Sequence, residues 1–375
     1  MYQIGIIYGT RPEAIKLAPI AARLKTEANY RVTLIATGQH DEMLHGILEI
    51  WELGPDINLH VKNHTDVELD LSGYTRVIKN YLKSNIFDLI IVQGDTTSAT
   101  AACIAGYELG VPIAHVEAGL RSGDLFNPWP EEGNRRIIDS LCALHLAPTQ
   151  VSYNHLVAEG HESTATITGN SIVDALNFAI LVAESDSSVL AKLESELRFP
   201  ITSSYVLFTQ HRKEGFSGGQ KSVFSAIKRI AESGQKIVFP VHLNPSVRNA
   251  AIAFFREVEN VLLISPQSYL PFLLLMKNCK YLVSDSGGLQ EEAPSFQKSI
   301  IITRKTTERP EVIDSGYGFL TGFDEELIVE RALLLDETEK EIKENPFGDG
   351  SASEKTFLII KEFLAKSNRL DLLEK

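Results

Sequence analysis

Short runs of aliphatic and β-branched residues recur along the chain between longer amphipathic stretches. In the first half they are Gln3–Tyr8, Arg31–Ala36, Phe87–Val92 and Ile113–Val116; in the second, Tyr205–Phe208, Lys236–Val241, Val261–Ile264, Tyr281–Val283 and Ser299–Thr303. Strands that are continuously apolar are buried on both faces, so these runs predict parallel sheets covered by helices on either side. The helical period is clearest after the first run, where Pro12 suits a first helical position and Ile15, Ala18, Ala21 and Ala22 share one face until Asn29 ends the pattern. Residues 184–204 are polar and read as a helix plus connector, and a new strand begins at Tyr205. The alternation of strand and helix thus occurs twice. It predicts an α/β fold of two Rossmann-like domains, 1–170 and 171–353, with the ligand in a cleft between two parallel sheets. A last helix, about 354–375, follows the turn-rich Asn345–Ser351 and could pack on either domain.

Composition narrows the function more than the fold. The 375 residues are 44% hydrophobic and 23% charged, which excludes disordered, collagenous and disulfide-scaffold classes. Lys+Arg 36 against Asp+Glu 49 leaves a net charge of −13, without the broad basic face that nucleic acid or an anionic membrane would require. An anionic substrate would need a local cluster of cations. Lys277 and Lys280 break the richest apolar stretch, Leu270 to Val283, so no membrane span is expected. The start of the chain has no basic segment before its apolar run, and Cys103, Cys142 and Cys279 form no CxxC; both features point to the cytoplasm.

In an open parallel sheet ligands bind beyond the carboxyl ends of the strands, so the residues that follow each apolar run carry the information. After the first comes Gly9-Thr10-Arg11-Pro12-Glu13, with Lys16 one turn on: a close-approach glycine, a helix N-terminus and two cations that suit an anion. After the third comes Gln93-Gly94-Asp95-Thr96, where Asp95 reads either as the cap of the next helix or as a site carboxylate. The fourth leads to His115-Val116-Glu117-Ala118-Gly119-Leu120-Arg121, and Pro128-Trp129-Pro130-Glu131-Glu132 lies a little further on. Clustered carboxylates in such loops suit general acid and base work, whereas pairing with Arg121, Arg135 and Arg136 would make them a structural ion network.

In the second half, His211 and His242 stand at consecutive strand ends, where a histidine can move protons or hydrogen-bond a phosphate. Ser284-Asp285-Ser286-Gly287-Gly288 offers hydroxyls and backbone N–H groups to a phosphate, with Glu292 one turn on for ribose hydroxyls. Arg304, Lys305 and Arg309 follow the last run and add positive charge. There is no GxxxxGK[ST], GxGxxG, HExxH or Asp-x-Asp, and the histidines do not cluster at metal-ligand spacing, so neither a metal nor a dinucleotide cofactor is expected.

The ordered set Gly9–Pro19, Gln93–Thr96, His115–Arg121, Pro128–Glu132, Gly169-Asn170, His211-Arg212, Pro240–His242, Asp285–Pro294, Thr306–Pro310 and Asn345–Gly350 closely resembles the non-hydrolysing bacterial UDP-N-acetylglucosamine 2-epimerases, over nearly the whole chain. The resemblance implies a GT-B architecture whose C-terminal helix crosses back to the first domain, a homodimer, a UDP-sugar substrate, and no cofactor. It further implies expulsion of UDP to give 2-acetamidoglucal, followed by re-addition after protonation on the other face. By the same resemblance Asp95, Glu117 and Glu131 are the acid and base carboxylates. Arg11, Lys16, His211, Ser286, Gly287, Gly288 and Arg309 hold the diphosphate, Glu292 the ribose, and Gln267 with Phe272 the uracil; Arg135 and His242 complete the substrate contacts. Gln39 and His40, with His242, match a second UDP-N-acetylglucosamine site of regulated members, while Glu42 and the loop Val61–Ser72 depart from that pattern, and Gly215 departs from the motif after His211. Related UDP-2-acetamido sugars, a GT-B glycosyltransferase and a UDP-sugar sensor are the alternative readings.

Overall fold

The computed structural model describes residues 1–38, 47–61, 70–210, 219–241, 245–337 and 342–373. The chain divides into two units, Met1–Ala175 with Phe347–Lys375, and Leu176–Pro346. The first holds seven strands: β1 (Tyr2–Tyr8), β2 (Tyr30–Ala36), β3 (Ile57–Asn58), β4 (Leu89–Gln93), β5 (Ile113–Val116), β6 (Leu144–Ala147) and β7 (Ala165–Ile167). They pair in the order β3-β2-β1-β4-β5-β6-β7, parallel throughout. Its helices are α1 (Arg11–Lys25), α2 (Leu71–Lys83), α3 (Thr97–Glu108), α4 (Glu131–Leu141) and α5 (Gln150–Ala158), and α6 (Ser171–Ser185) carries the chain onward. The second unit repeats the plan with β8 (Val206–Thr209), β9 (Ile237–Pro240), β10 (Val261–Ile264), β11 (Leu282–Ser284), β12 (Ile300–Ile302) and β13 (Gly318–Leu320) in the parallel order β10-β9-β8-β11-β12-β13. Its helices are α7 (Ser187–Leu197), α8 (Gly219–Glu232), α9 (Pro245–Phe255), α10 (Tyr269–Asn278), α11 (Gly287–Glu292), α12 (Pro310–Asp314) and α13 (Glu325–Glu337).

In both sheets the chain order reverses direction beside the first strand of the unit, which creates a crevice beyond the carboxyl ends there. The apolar runs are buried as their composition requires: β4 is LIIVQ with every residue covered, and Ile4, Ile6, Leu34, Leu89 and Ile91 share one core with α1. The last helix, α14 (Ala352–Leu373), belongs to the first unit. Phe357, Ile360 and Leu364 enter that unit's core, Arg23 pairs with Glu354, and the Tyr2 hydroxyl donates to the Leu364 carbonyl at 3.2 Å. Among the described residues no helix is long and apolar enough to cross a membrane. Cys103 and Cys279 are buried and Cys142 partly so, and none of the three is in a disulfide.

Candidate active site

At the carboxyl edge of the first sheet, the β1–α1 turn is set by Glu13. Thr10-x-x-Glu13 is a capping box, and the buried carboxylate accepts from the Gly9 and Thr10 backbone N–H groups at 3.0 and 2.6 Å and from the Thr10 hydroxyl at 2.7 Å. Its other oxygen accepts from the Thr96 hydroxyl at 2.7 Å, which ties this turn to the one after β4. Burial pushes the Glu13 carboxyl up, against four hydrogen bonds that favour its charged form. Gly9 is required for closeness: a Cβ there would lie 2.2 Å from the Ser98 hydroxyl and 2.5 Å from that of Thr37. Lys16, one turn further along α1, reaches Glu117 in an ion pair whose two side chains are each 9% exposed.

Asp95 does not cap α3. That role falls to Thr96, whose hydroxyl accepts from the Ala99 N–H at 3.0 Å; a hydroxyl one residue nearer the helix has the shorter reach to the exposed N–H. The Asp95 carboxylate instead accepts from Arg135 Nε at 2.8 Å and Nη2 at 2.7 Å, and its carbonyl accepts from the Asn134 amide at 2.8 Å. Both donors stand on the first turns of α4, which begins at Glu131, so the Asp95 turn and the Glu131 turn are docked against one another. Glu117 is the neighbour of Asp95 across the sheet: Gln93 pairs in register with Val116, the Gly94 N–H donates to the Val116 carbonyl at 3.0 Å, and the Gln93 amide donates to the Glu117 carboxylate at 2.7 Å.

The three carboxylates differ in their surroundings. Asp95 belongs to an arginine pair, and Glu117 to Lys16 and Gln93. Glu131 has one carboxylate oxygen buried with no hydrogen-bond partner, an orphan acceptor of the kind native structures reserve for a reason. Glu117 also stands at φ +70°, a left-handed conformation that costs a non-glycine residue about 1 kcal/mol or more and clusters at functional sites. The other arginines complete a network around different acids: Glu132 accepts from the Ser122 N–H and pairs with Arg135 and Arg136, and Arg121 pairs with Asp139 and Glu159.

The second sheet presents hydroxyls, glycines and arginines at the same edge. Ser284, ending β11, shares a hydrogen bond with the Thr209 hydroxyl at 2.7 Å and accepts from the Ser286 N–H at 3.0 Å. Ser286 caps α11, Gly287 is buried and Gly288 is exposed. A Cβ on Gly287 would lie 3.0 Å from Arg309 Nη1, so the glycine lets that guanidinium close over the turn. Arg309 is itself held by Glu291 at 2.5 Å and Glu308 at 3.4 Å. Glu308 takes two parallel bonds from Arg304, at 3.0 and 2.8 Å. Burial alone would raise the Glu308 carboxyl; Arg304 and Arg309 outweigh it and hold it down at about 2.

Glu292 is partly exposed one turn beyond Gly288, and Phe272 is partly exposed in the first turn of α10. The Gln267 amide donates to Glu196 at 2.8 Å and to the Ser265 carbonyl at 2.9 Å. Arg11, partly exposed, opens α1. His211, His242, Gln39 and His40 lie outside the described residues. Glu13, Gln93 and Thr96 went unassigned in the sequence; only Glu13 carried a readable signal, its capping-box spacing from Thr10.

The family model described as UDP-N-acetylglucosamine 2-epimerase matches residues 22–361. The UDP-N-acetylglucosamine 2-epimerase of Escherichia coli (strain K12) is 39% identical over 98% of this chain and 99% of its own length, and that of Yersinia pestis is 38% identical over 95% and 97%. Among solved structures, UDP-GlcNAc 2-epimerase from Neisseria meningitidis bound to UDP-GlcNAc superposes with a TM-score of 0.86 at 36% identity, covering 97% of this chain and 100% of that one. The S. aureus MnaA–UDP co-structure gives 0.87 at 33% identity, covering 97% of each. With two units, each built on a parallel sheet, and a family match over most of its length, the chain belongs to the UDP-N-acetylglucosamine 2-epimerase family.

Proposed function

We propose that this protein interconverts UDP-N-acetylglucosamine and UDP-N-acetylmannosamine without hydrolysis, for the synthesis of surface polysaccharide. The observation that carries the reading is the edge of the first sheet, where Gln93 and Lys16 hold Glu117, Arg135 holds Asp95, and Glu131 begins the helix that carries that arginine. The C2 proton of a sugar is poorly acidic, so its removal has to be coupled to departure of UDP from C1. One carboxylate takes the proton, the C1–O bond breaks with its electron pair going to UDP, and 2-acetamidoglucal forms. Protonation of C2 from the other face and return of UDP to C1 give the epimer.

Roles follow from chemistry. Asp95, Glu117 and Glu131 carry the protons, and one buried oxygen of Glu131 has no hydrogen-bond partner within the protein. His211, Arg11, Ser286, Gly287, Gly288 and Arg309 stabilise the leaving diphosphate. Lys16 fixes Glu117 and adds positive charge, Arg135 does the same for Asp95, and Glu292, Gln267, Phe272 and His242 contact the nucleoside and sugar. The proposal includes a homodimer, and a cytoplasmic site of action, to which three cysteines without a disulfide lend support.

The test is proton NMR of the purified protein with UDP-N-acetylglucosamine in D2O, without added metal. Solvent deuterium at C2 and a mixture of gluco and manno nucleotides are expected. Free N-acetylmannosamine with UDP would mean hydrolysis, and an unchanged spectrum would move the reading to modified UDP-sugars or to binding alone.

A further inference from the structure

Beneath the carboxylate-bearing turns of the first unit lies a buried acid that the reaction above does not use. Asp139 is 1% exposed and stands on α4, about two turns beyond Glu131. Its Oδ1 accepts from His115 Nδ1 at 2.6 Å; its Oδ2 accepts from Arg121 Nη2 at 2.7 Å and from the Gly119 N–H at 3.2 Å. These donors lie on both sides of Glu117 in the chain and enclose its left-handed backbone, φ +70°, and that of Gly119, φ +83°. Gly119 admits no side chain, since a Cβ would fall 2.2 Å from the Ser152 carbonyl oxygen. On its other side the His115 ring donates from Nε2 to the Gly94 carbonyl at 2.8 Å, the peptide that precedes Asp95. The ring thus sits between two acceptors, a carboxylate and a carbonyl.

The neighbours keep the arrangement charged and closed. His145 on β6 donates to the Asp139 backbone carbonyl at 2.7 Å and stacks on His161, and His155 on α5 donates to the Gly119 carbonyl at 3.0 Å. Arg121 also pairs with Glu159 at 2.5 Å. Burial would raise the Asp139 carboxyl, but His115 and Arg121 outweigh it and hold it well below the ordinary range.

We propose that Asp139 and His115 are positioning residues: the chain Asp139–His115–Gly94 sets Asp95, Glu117 and Glu131 relative to one another by tying the three backbone segments that carry them to one buried carboxylate. What the three carboxylates do rests on the function proposed above; that they are held this way rests on the hydrogen bonds alone. A plain core ion pair would affect folding and leave the rate of the folded enzyme unchanged, whereas a positioning device affects the rate itself.

His115→Asn and His115→Gln in the full chain separate the two. Asparagine keeps an N–H near the place of Nδ1 and loses the reach to Gly94, while glutamine can still reach that carbonyl. In folded His115→Asn, kcat for C2 exchange is expected to fall about 10- to 100-fold, the effect of a small misplacement, with KM within about 3-fold, and His115→Gln to recover part of the loss. A kcat equal to wild type in folded His115→Asn overturns the proposal. If neither variant folds, 15N-edited NMR of the wild type decides: the His115 Nε2–H signal should shift on addition of UDP-N-acetylglucosamine, and an unmoved or missing signal overturns it. A wild-type enzyme that turns over no UDP-sugar defeats the proposed function instead, and the tether is then judged by whether the Nε2–H signal to Gly94 exists.

Discussion

The two sheets share a strand order and differ in what they place at the same edge. The first presents acids: Asp95, Glu117 and Glu131, each on a turn or helix start that follows β4 or β5. The second presents hydroxyls, glycines and arginines at Ser284–Gly288 and Arg304–Arg309. Beneath each edge lies a buried carboxylate that gathers nitrogen donors, Asp139 with His115 and Arg121 in one unit and Glu308 with Arg304 and Arg309 in the other. In the first unit the hub serves turns that carry other carboxylates. In the second its cation, Arg309, lies against the glycine turn itself. The same scaffold thus presents acids at one edge and hydroxyls, glycines and arginines at the other, because the loops rather than the strands carry the differing side chains.

The sharpest way to break this division is to neutralise one group on each side. Glu117→Gln should lower the rate of C2 exchange about 1,000-fold, the scale of a lost general acid or base, while calorimetry shows UDP affinity changed by less than about 3-fold. Retained exchange in both Glu117→Gln and Asp95→Asn would remove the carboxylates from the reaction. On the other side, Arg309→Gln should weaken UDP binding about 10- to 100-fold, the value of a charged hydrogen bond to phosphate. If Arg309→Gln binds UDP normally, the guanidinium serves only Glu291 and Glu308, and the second edge loses its anion role.

Much of this was legible in the chain. Apolar runs located β1, β2, β4, β5 and β8 to β12, because a strand buried on both faces has to be continuously hydrophobic. The strands left unread lack that signature. β6 carries the buried His145, which hydrogen bonds to Thr164 at 2.9 Å and to the Asp139 carbonyl at 2.7 Å; β7 and β13 are partly exposed edges, and β3 is two residues long. Glu117 and Arg309 were readable from strand ends and glycine turns. Asp139 was not: its partners stand 24 and 18 residues away, and on α4 its acid resembles any other helical surface charge. Asp95 read either as a cap or as a site carboxylate, a one-residue ambiguity with Thr96 that geometry resolves against the cap.

Acid should reduce the stability of both units in the same direction, which tests whether the hubs are alike beneath their different edges. The Glu308 carboxyl is held at about 2 against an ordinary 4.5. A carboxyl depressed on folding contributes stability that is present above the ordinary value and lost as pH falls through the folded one. The interval is 4.5 − 2 = 2.5 pH units, or about 3 kcal/mol at 1.36 kcal/mol per unit. Hydrogen exchange in β12 and β13 should therefore quicken between pH 4.5 and 2, and Glu308→Gln should flatten that limb. Asp139, also depressed, should give β5 and β6 the same sign. A limb present in one unit only would show that the two carboxylates are not equivalent devices.

The smallest effect belongs to the last helix, which is part of the first unit yet contributes none of the candidate site residues. Its pair with Arg23 is exposed, with the Glu354 side chain 50% accessible, and the Arg23 guanidinium also covers the Phe357 ring at 3.8 Å. Exposed pairs contribute about 0.2 to 1 kcal/mol and weaken in salt, so Glu354→Gln should lower the stability of the first unit by no more than that, with C2 exchange unchanged. Docking of α14 rests instead on Phe357, Ile360 and Leu364 in the core. Because the helix packs on α1, which carries Lys16, a fall in exchange with unchanged stability would mean that α14 steers the Lys16–Glu117 pair, and the acid edge would then depend on more of the first unit than its own turns.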